Sequence, residues 1–153
     1  MNQRGYFAIG LCQPKVRENV GSVLRAASCY DAAFVAVTGR RFEQACTDTA
    51  KAWRHLPLLR TQDLLAIVPY SCKIVAIEIC DKTESLPAFE HPERAFYIFG
   101  PEDGSIPPSL IEKAHHVVSI PTRYCMNLAC TANVVLYDRM AKRARVPKTV
   151  EAA

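Results

Sequence analysis

The chain has 153 residues and a mass of 17.0 kDa, which is the size of one typical domain. Half of the residues are hydrophobic, 22% are charged and the mean hydropathy is close to zero, a globular composition that excludes disordered, collagen-like and coiled-coil proteins. The net charge of +4 favours an anionic partner without requiring one.

No apolar run reaches the roughly 18 residues that a membrane-spanning helix needs, and the segment from Met1 does not resemble a secretory signal. A cytoplasmic protein without membrane contact is therefore expected. The seven cysteines are scattered and show neither C-x-x-C spacing nor a nearby histidine at zinc spacing. They are expected to be reduced thiols, and no metal site is predicted.

Short β-rich runs alternate with helical stretches along the chain. In order, the sequence predicts strand 6–12, helix 19–30, strand 33–38, helices 43–53 and 61–68, strands 73–80 and 94–100, helix 107–114, strand 116–121 and a helix from 126 to about 143. Strand segments such as 74–77 are apolar without alternation, which is typical of a parallel sheet covered on both faces. The prediction is one α/β domain over 1–153, with a flexible tail at 146–153.

The final helix ends in a cluster of cations. These are expected to complement the helix dipole, with an RNA-binding tail as the alternative: Arg139, Lys142, Arg143, Arg145 and Lys148.

Three loops follow predicted strands at the edge where open α/β sheets bind ligands. They come after Ile77, Phe99 and Ile120. The loop at 100–105 reads Gly-Pro-Glu-Asp-Gly-Ser and fits neither the P-loop nor the dinucleotide template. A ligand held by the backbone of several loops fits this pattern better than one clamped by a charged motif.

The first predicted helix has a core face and one unusual arginine. Its apolar positions follow helical spacing: Val20, Val23, Leu24, Ala27 and Tyr30. Arg25 points elsewhere, and its helical neighbours are small: Gly21, Ser22, Ser28 and Cys29. A phosphate, a ribose or another subunit can approach such an arginine closely, whereas the alternative is a solvated side chain. Asn19 is expected to cap the helix.

Three ordered motifs carry a resemblance to a known family. They are NVGSVLRAA at 19–27, FGPEDGSIP at 99–107, and IP at 120–121 followed by CMNLA at 125–129 and VVLYD at 134–138. Together they span residues 19–138. In this order and separation they resemble the SpoU/TrmH family of RNA 2′-O-ribose methyltransferases in the SPOUT superfamily.

The resemblance implies a SPOUT-type fold with a deep trefoil knot in its C-terminal half, a homodimer and S-adenosylmethionine as cofactor. It implies cofactor contacts at Ile77, Glu78, Gly100, Pro101, Glu102, Gly104, Ile120, Cys125, Met126 and Leu128. Arg25 and Asn127 match the family's active-site arginine and asparagine, with Asn19 and Glu102 at supporting positions. A guanidinium stays protonated in proteins and is therefore a poor base, so Arg25 is expected to orient a phosphate or stabilise developing oxyanion charge.

Two positions depart from the pattern, since many relatives carry serine at Cys125 and a small polar residue at Ala129. The main prediction is a methyltransferase acting on tRNA or rRNA. One alternative is a catalytically silent SPOUT module that binds RNA, which Cys125 favours weakly. The other is a flavodoxin-like small-ligand domain, which predicts no RNA affinity.

Basic and aromatic residues are candidates for RNA contact, because cations bind phosphates and aromatic rings stack on unpaired bases. A solvated surface is the alternative for each cluster. The candidates are Lys15, Arg17, Arg40, Arg41, Lys51, Trp53, Arg54, His55 and Tyr124. Trp53 is expected to be packed instead, and His55, His115 and His116 are expected to be structural.

Overall fold

The computed structural model describes residues 5–40 and 56–145. Its elements are β1 (Tyr6–Leu11), α1 (Arg17–Cys29), β2 (Val35–Val37), β3 (Leu58–Arg60), β4 (Lys73–Ile77), β5 (Glu84–Ser85), β6 (Arg94–Phe99), α2 (Pro108–Ile111), β7 (His116–Ser119) and α3 (Leu128–Arg145). The predicted helix at 43–53 and the predicted tail at 146–153 lie outside the described residues.

The described strands form one sheet in the order β3-β2-β1-β6-β4-β7-β5, and every pairing between them is parallel. Successive residues of a strand enter opposite faces: Tyr97 packs with α1 and α3, whereas Phe96 packs with Leu110 of α2. Both faces are therefore buried, as the apolar strands predicted. The mostly parallel α/β fold is confirmed, while the trefoil knot stays a prediction.

The structure corrects the prediction of a helix at 61–68. It contains only a single 3-10 turn at Leu65–Ile67, and the short strand β3 precedes it. The side chain of Asp63 accepts the backbone N–H of Leu65 at 2.9 Å, and Thr61 Oγ1 accepts the N–H of Asp63 at 3.1 Å. These local bonds replace the hydrogen bonds of a regular helix.

Helix α1 begins at Arg17, and Val16 occupies its cap position without a side-chain hydrogen bond. The prediction that Asn19 caps this helix is therefore wrong. The predicted core face is confirmed, since Val20, Val23 and Leu24 are buried.

The structure also corrects the predicted role of the cations at the end of α3. Arg139 is 2% exposed and donates to the carbonyl oxygens of Pro92 and Glu93 at 2.6 and 2.7 Å. Lys142 Nζ donates to the carbonyl of Phe89 at 2.9 Å. Both side chains therefore fix α3 to the segment preceding β6. The dipole role predicted for Arg139 is wrong, because this residue lies six positions before the end of α3 and its guanidinium is used by backbone carbonyls of the neighbouring segment.

A buried histidine extends this anchor. The ring of His91 lies 2.6 Å from Tyr97 Oη and 2.9 Å from Asp138 Oδ2. Burial lowers the pKa of His91 to about 4, so the ring is neutral at pH 7. The resulting network holds the C-terminal half of α3 against β6 and the segment that precedes it.

Candidate functional site

The carboxyl ends of three neighbouring strands border a single cleft. Strand β4 lies between β6 and β7, and Ile77 pairs in register with both Phe99 and Val118. Because the strands are parallel, the loops that follow them meet at the same edge. The empty space at the cleft, with the solvent at its open mouth included, is about 720 Å³.

All the residues predicted to contact the cofactor line this cleft. They are Ile77, Glu78, Gly100, Pro101, Glu102, Gly104, Ile120, Cys125, Met126 and Leu128. The sequence did not identify the other lining residues, which are Ile79, Phe99, Ser119, Thr122 and Thr131. Most of these are chain neighbours of predicted ones, and Thr131 lies one helical turn after Asn127, so helical spacing was the available signal.

The carboxylate of Glu78 joins two walls of the cleft. Its Oε2 accepts the backbone N–H of Ile106 at 2.7 Å, and its Oε1 accepts the N–H of Ile79 at 2.9 Å. The loop after β4 is thereby tied to the end of the loop after β6. Gly100 lies in the second loop, and a Cβ there would lie 3.2 Å from Cγ1 of Ile106.

A directed chain of hydrogen bonds joins the three sequence motifs. Asn127 Oδ1 caps α3 by accepting the backbone N–H groups of Ala129 at 2.8 Å and Cys130 at 3.3 Å. This leaves Asn127 Nδ2 to donate to Asn19 Oδ1 at 3.0 Å. The Asn19 amide is oriented in turn, and its Nδ2 donates to Glu102 Oε1 at 2.7 Å. The cap at the start of α3 thus sets which atom donates and which accepts in each hydrogen bond from Asn127 through Asn19 to Glu102.

Glu102 ends this chain as a pure acceptor. It also accepts the backbone N–H groups of Lys15 at 2.7 Å and Val16 at 3.2 Å. Burial acts to raise the pKa of Glu102, but the hydrogen bonds from Asn19, Lys15 and Val16 outweigh it and hold the pKa below its usual value. The ionised carboxylate therefore fixes the loop after β6 to the start of α1, and the side chain of Asn19 takes part in this bridge instead of capping the helix.

We expect two substitutions at Asn127 to separate its role as the cap of α3 from its role as hydrogen-bond donor to Asn19. Asn127→Ala removes the α3 cap and is expected to lower the free energy of unfolding by about 1 kcal/mol or more. Asn127→Asp keeps a capping oxygen and is expected to retain most of that stability, although it loses the donor to Asn19. Chemical denaturation of both variants beside the wild type measures the difference. Equal losses in the two variants would contradict the capping role.

Arg25 lies apart from the other predicted catalytic residues. It is exposed on α1, about 9 Å along the helix axis from Asn19, and it does not line the cleft of its own chain. Within the described residues its guanidinium has no hydrogen-bond or ion-pair partner. The structure thus brings together Asn19, Glu102 and Asn127 but not Arg25.

The two departures from the family pattern occupy different environments. Cys125 is an exposed thiol that lines the cleft, so it can contact a ligand, though a thiol is a weaker hydrogen-bonding group than a hydroxyl. Ala129 is buried in the core against α1 and the sheet. The departure at Ala129 therefore changes packing rather than the lining of the cleft.

Within 5–40 and 56–145, no group of three or more His, Cys, Asp or Glu residues is placed to hold a metal ion. The helices of the same part of the chain include none with the length and apolar character to cross a membrane.

Solved structures share this fold. One concerns the 2-OH methylation of C/U34 on tRNA; it has a TM-score of 0.78 and 21% identity, over 92% of this chain and 98% of that one. The SpoU methyltransferase AviRb from Streptomyces viridochromogenes, solved with AdoMet, has a TM-score of 0.72 and 19% identity, over 92% of this chain and 61% of that one. The A. aeolicus TrmH/SpoU tRNA modifying enzyme has a TM-score of 0.79 and 13% identity, over 94% of this chain and 80% of that one.

No curated protein matches the sequence significantly. The family model described as the SpoU rRNA Methylase family matches residues 6–137. That range contains every strand that the structure describes, every residue that lines the cleft, and all of the three motifs except Asp138. The chain therefore belongs to the SpoU rRNA methylase family.

Proposed function

We propose that this protein is an S-adenosylmethionine-dependent methyltransferase that modifies a ribose 2′-OH of tRNA or rRNA. The observation that carries the proposal is the cleft, which gathers all the predicted cofactor residues beside the hydrogen-bonded chain of Asn127, Asn19 and Glu102. Family membership and the structure solved for 2-OH methylation of C/U34 on tRNA support the same reaction.

The cleft fits the chemistry of this cofactor. Apolar side chains such as Phe99, Ile120 and Leu128 line it and suit a flat adenine ring. The glycines of the loop after β6 leave backbone groups accessible for the polar parts of the ligand. When bound, S-adenosylmethionine supplies a methyl group that its sulfonium already activates, so the protein's main task is to position the ribose oxygen in line.

The protein's own residues then have distinct roles. Glu102 and Asn127 hold the loop after β6, the start of α1 and the start of α3 in one geometry. Among the described residues Arg25 has no hydrogen-bond or ion-pair partner, and its guanidinium would stabilise the negative charge that develops on the ribose oxygen or orient a neighbouring phosphate. In the proposed transfer the ribose oxygen would bond to the methyl carbon as the bond from that carbon to sulfur breaks, S-adenosylhomocysteine would be the leaving group, and the 2′-OH proton would pass to solvent.

We propose that a homodimer completes the site, because Arg25 does not line the cleft of its own chain. Helix α3, which packs on α1, leaves large apolar side chains in solvent: Val134 is 37%, Tyr137 57% and Met140 46% exposed. A second copy of the chain would cover this face and bring its own Arg25 to the cleft.

Sedimentation at micromolar concentration is expected to give a dimer, and Val134→Glu on the exposed face of α3 is expected to shift it to a monomer. Tyr70→Ala, which changes an exposed aromatic at the amino ends of the strands, is a control expected to remain dimeric. A monomeric wild type would exclude the two-subunit site.

The reaction itself is tested with isotopically methyl-labelled S-adenosylmethionine and RNA from cells that lack the gene. The RNA is digested and the labelled nucleosides are identified by mass spectrometry, with tRNA and rRNA fractionated. Label on a ribose 2′-O supports the proposal, and label on a base overturns it. Cofactor binding and RNA binding without label would favour the catalytically silent module, whereas no RNA affinity would favour the small-ligand domain.

A further inference from the structure

The segment between β7 and α3 places an exposed aromatic ring at the mouth of the cleft. Tyr124 is 73% exposed, although its neighbours Thr122 and Cys125 both line the cleft. The ring is therefore close to the site without being part of its wall or of the hydrophobic core. Burial in the fold does not account for a tyrosine at this position.

The segment is held at both ends. The backbone N–H of Thr122 donates to the carbonyl of Ile120 at 2.8 Å, and the hydroxyl of Thr122 donates to the carbonyl of Tyr124 at 2.8 Å. Three residues later, Asn127 caps α3. The backbone that carries the ring is thus fixed relative to the cleft, which lowers the entropy cost of using it as a binding surface.

Arg123 lies beside the ring, with Cζ 5.4 Å from the ring centroid of Tyr124. A cation–π pair at such an exposed site contributes only about 0.5–1 kcal/mol, and the ring remains largely in water. The rim pair, Arg123 and Tyr124, therefore presents an apolar face and a positive charge side by side at the mouth of the cleft.

We infer that the rim pair is an RNA contact, in which an unpaired base stacks on Tyr124 and Arg123 binds an adjacent phosphate. The inference rests on the proposed function, because a ribose 2′-OH that enters the cleft brings its own nucleotide and its neighbours to this rim. Proteins that recognise single-stranded RNA combine these two elements, an aromatic platform and a cation. The pair is a substrate-binding element and takes no part in holding the cofactor.

The test compares Tyr124→Ala with Tyr124→Trp and with Tyr70→Ala. Tyr70 is a matched control because it is 93% exposed but lies at the amino ends of the strands, where its carbonyl accepts from Arg94. Three quantities are measured: Kd for total tRNA and for a single-stranded oligouridine by fluorescence anisotropy, KM and kcat with labelled cofactor, and cofactor Kd by calorimetry.

Tyr124→Ala is expected to raise the RNA Kd and the KM for RNA about tenfold, which corresponds to about 1.4 kcal/mol of lost stacking. The cofactor Kd is expected to stay unchanged, Tyr124→Trp to retain binding and Tyr70→Ala to bind like the wild type. Arg123→Ala is expected to flatten the plot of log K against log salt by about 0.7, the value for one phosphate contact on a single strand.

An unchanged RNA Kd in Tyr124→Ala would overturn the inference, as would an equal loss in Tyr70→Ala or a weakened cofactor Kd. A wild type without RNA affinity would overturn it together with the proposed function. If the wild type transfers no methyl group but Tyr124→Ala still weakens RNA binding, the contact stands and only the proposed reaction fails.

Discussion

Replacing Arg25 with alanine is expected to lower methyl transfer at least 100-fold while cofactor affinity stays at the wild-type value. Loss of one preorganised donor that stabilises developing oxyanion charge typically costs about 100- to 1,000-fold in rate. The fold should tolerate the change, because Arg25 is exposed and has no hydrogen-bond or ion-pair partner within the described residues. Single-turnover transfer with labelled cofactor and calorimetric titration of S-adenosylmethionine measure the two quantities.

Arg25→Lys is the matched variant, because it keeps the positive charge but loses the planar fork of donors that binds an oxyanion in two places. We expect Arg25→Lys to keep partial activity if Arg25 acts chiefly by its charge. If the two-donor geometry is required, we expect it to lose as much activity as Arg25→Ala. Weakened cofactor binding in Arg25→Ala would mean that this residue belongs to the cofactor cleft. Wild-type transfer in that variant would remove Arg25 from the reaction altogether.

Replacing Gly100 with valine is expected to abolish S-adenosylmethionine binding in a protein that still folds. Gly100 lines the cleft, and even a Cβ there would lie 3.2 Å from both Cγ1 and the backbone nitrogen of Ile106. Ile106 is itself held by Glu78, so it cannot easily move, and the loop must shift into the cleft. Calorimetric titration measures binding, and a thermal melt with sedimentation confirms folding and assembly.

Gly104→Ala is the control for this experiment. Gly104 lies in the same loop and also lines the cleft, but its Cβ would make only an ordinary contact, 3.4 Å from Cγ of Pro101. This variant is expected to bind the cofactor with little change. Normal binding by Gly100→Val would contradict the assignment of the loop after β6 to the cofactor. Unfolding of Gly100→Val would shift the test to Gly100→Ala, which is expected to weaken binding to a smaller degree.

The location of the site was predictable because the ends of the strands and the family resemblance both indicate the same loops. Open α/β sheets bind ligands beyond the carboxyl ends of their strands, which indicates the segments after Ile77, Phe99 and Ile120, and the family resemblance implies cofactor contacts in the same three segments. The structure places all of them around one cleft. Parallel strands end at a common edge whatever their distance in sequence, so strand prediction placed these loops at one edge, whereas the order β6-β4-β7 that makes them neighbours came from the structure.

The roles of individual polar side chains were less predictable. The sequence assigned Asn19 to a helix cap and Arg139 to the helix dipole, which are the local roles of those residue types. In the structure Asn19 bridges Asn127 and Glu102, and Arg139 binds carbonyls of the segment before β6. Each of these partners is more than 40 residues away in sequence, so no local pattern could have revealed them.

The sequence by itself determined the parallel α/β architecture, the core face of α1 and the loops that form the cleft. These follow from hydrophobic periodicity and from short motifs, which act over a few neighbouring residues. Only the tertiary structure decided that Asn127 caps α3 and orients Asn19, that Glu102 fixes the start of α1, and that Arg25 lies outside its own cleft. Hydrogen-bond direction and the distance between helices depend on how the whole chain packs, and that packing is set by contacts between residues far apart in the sequence.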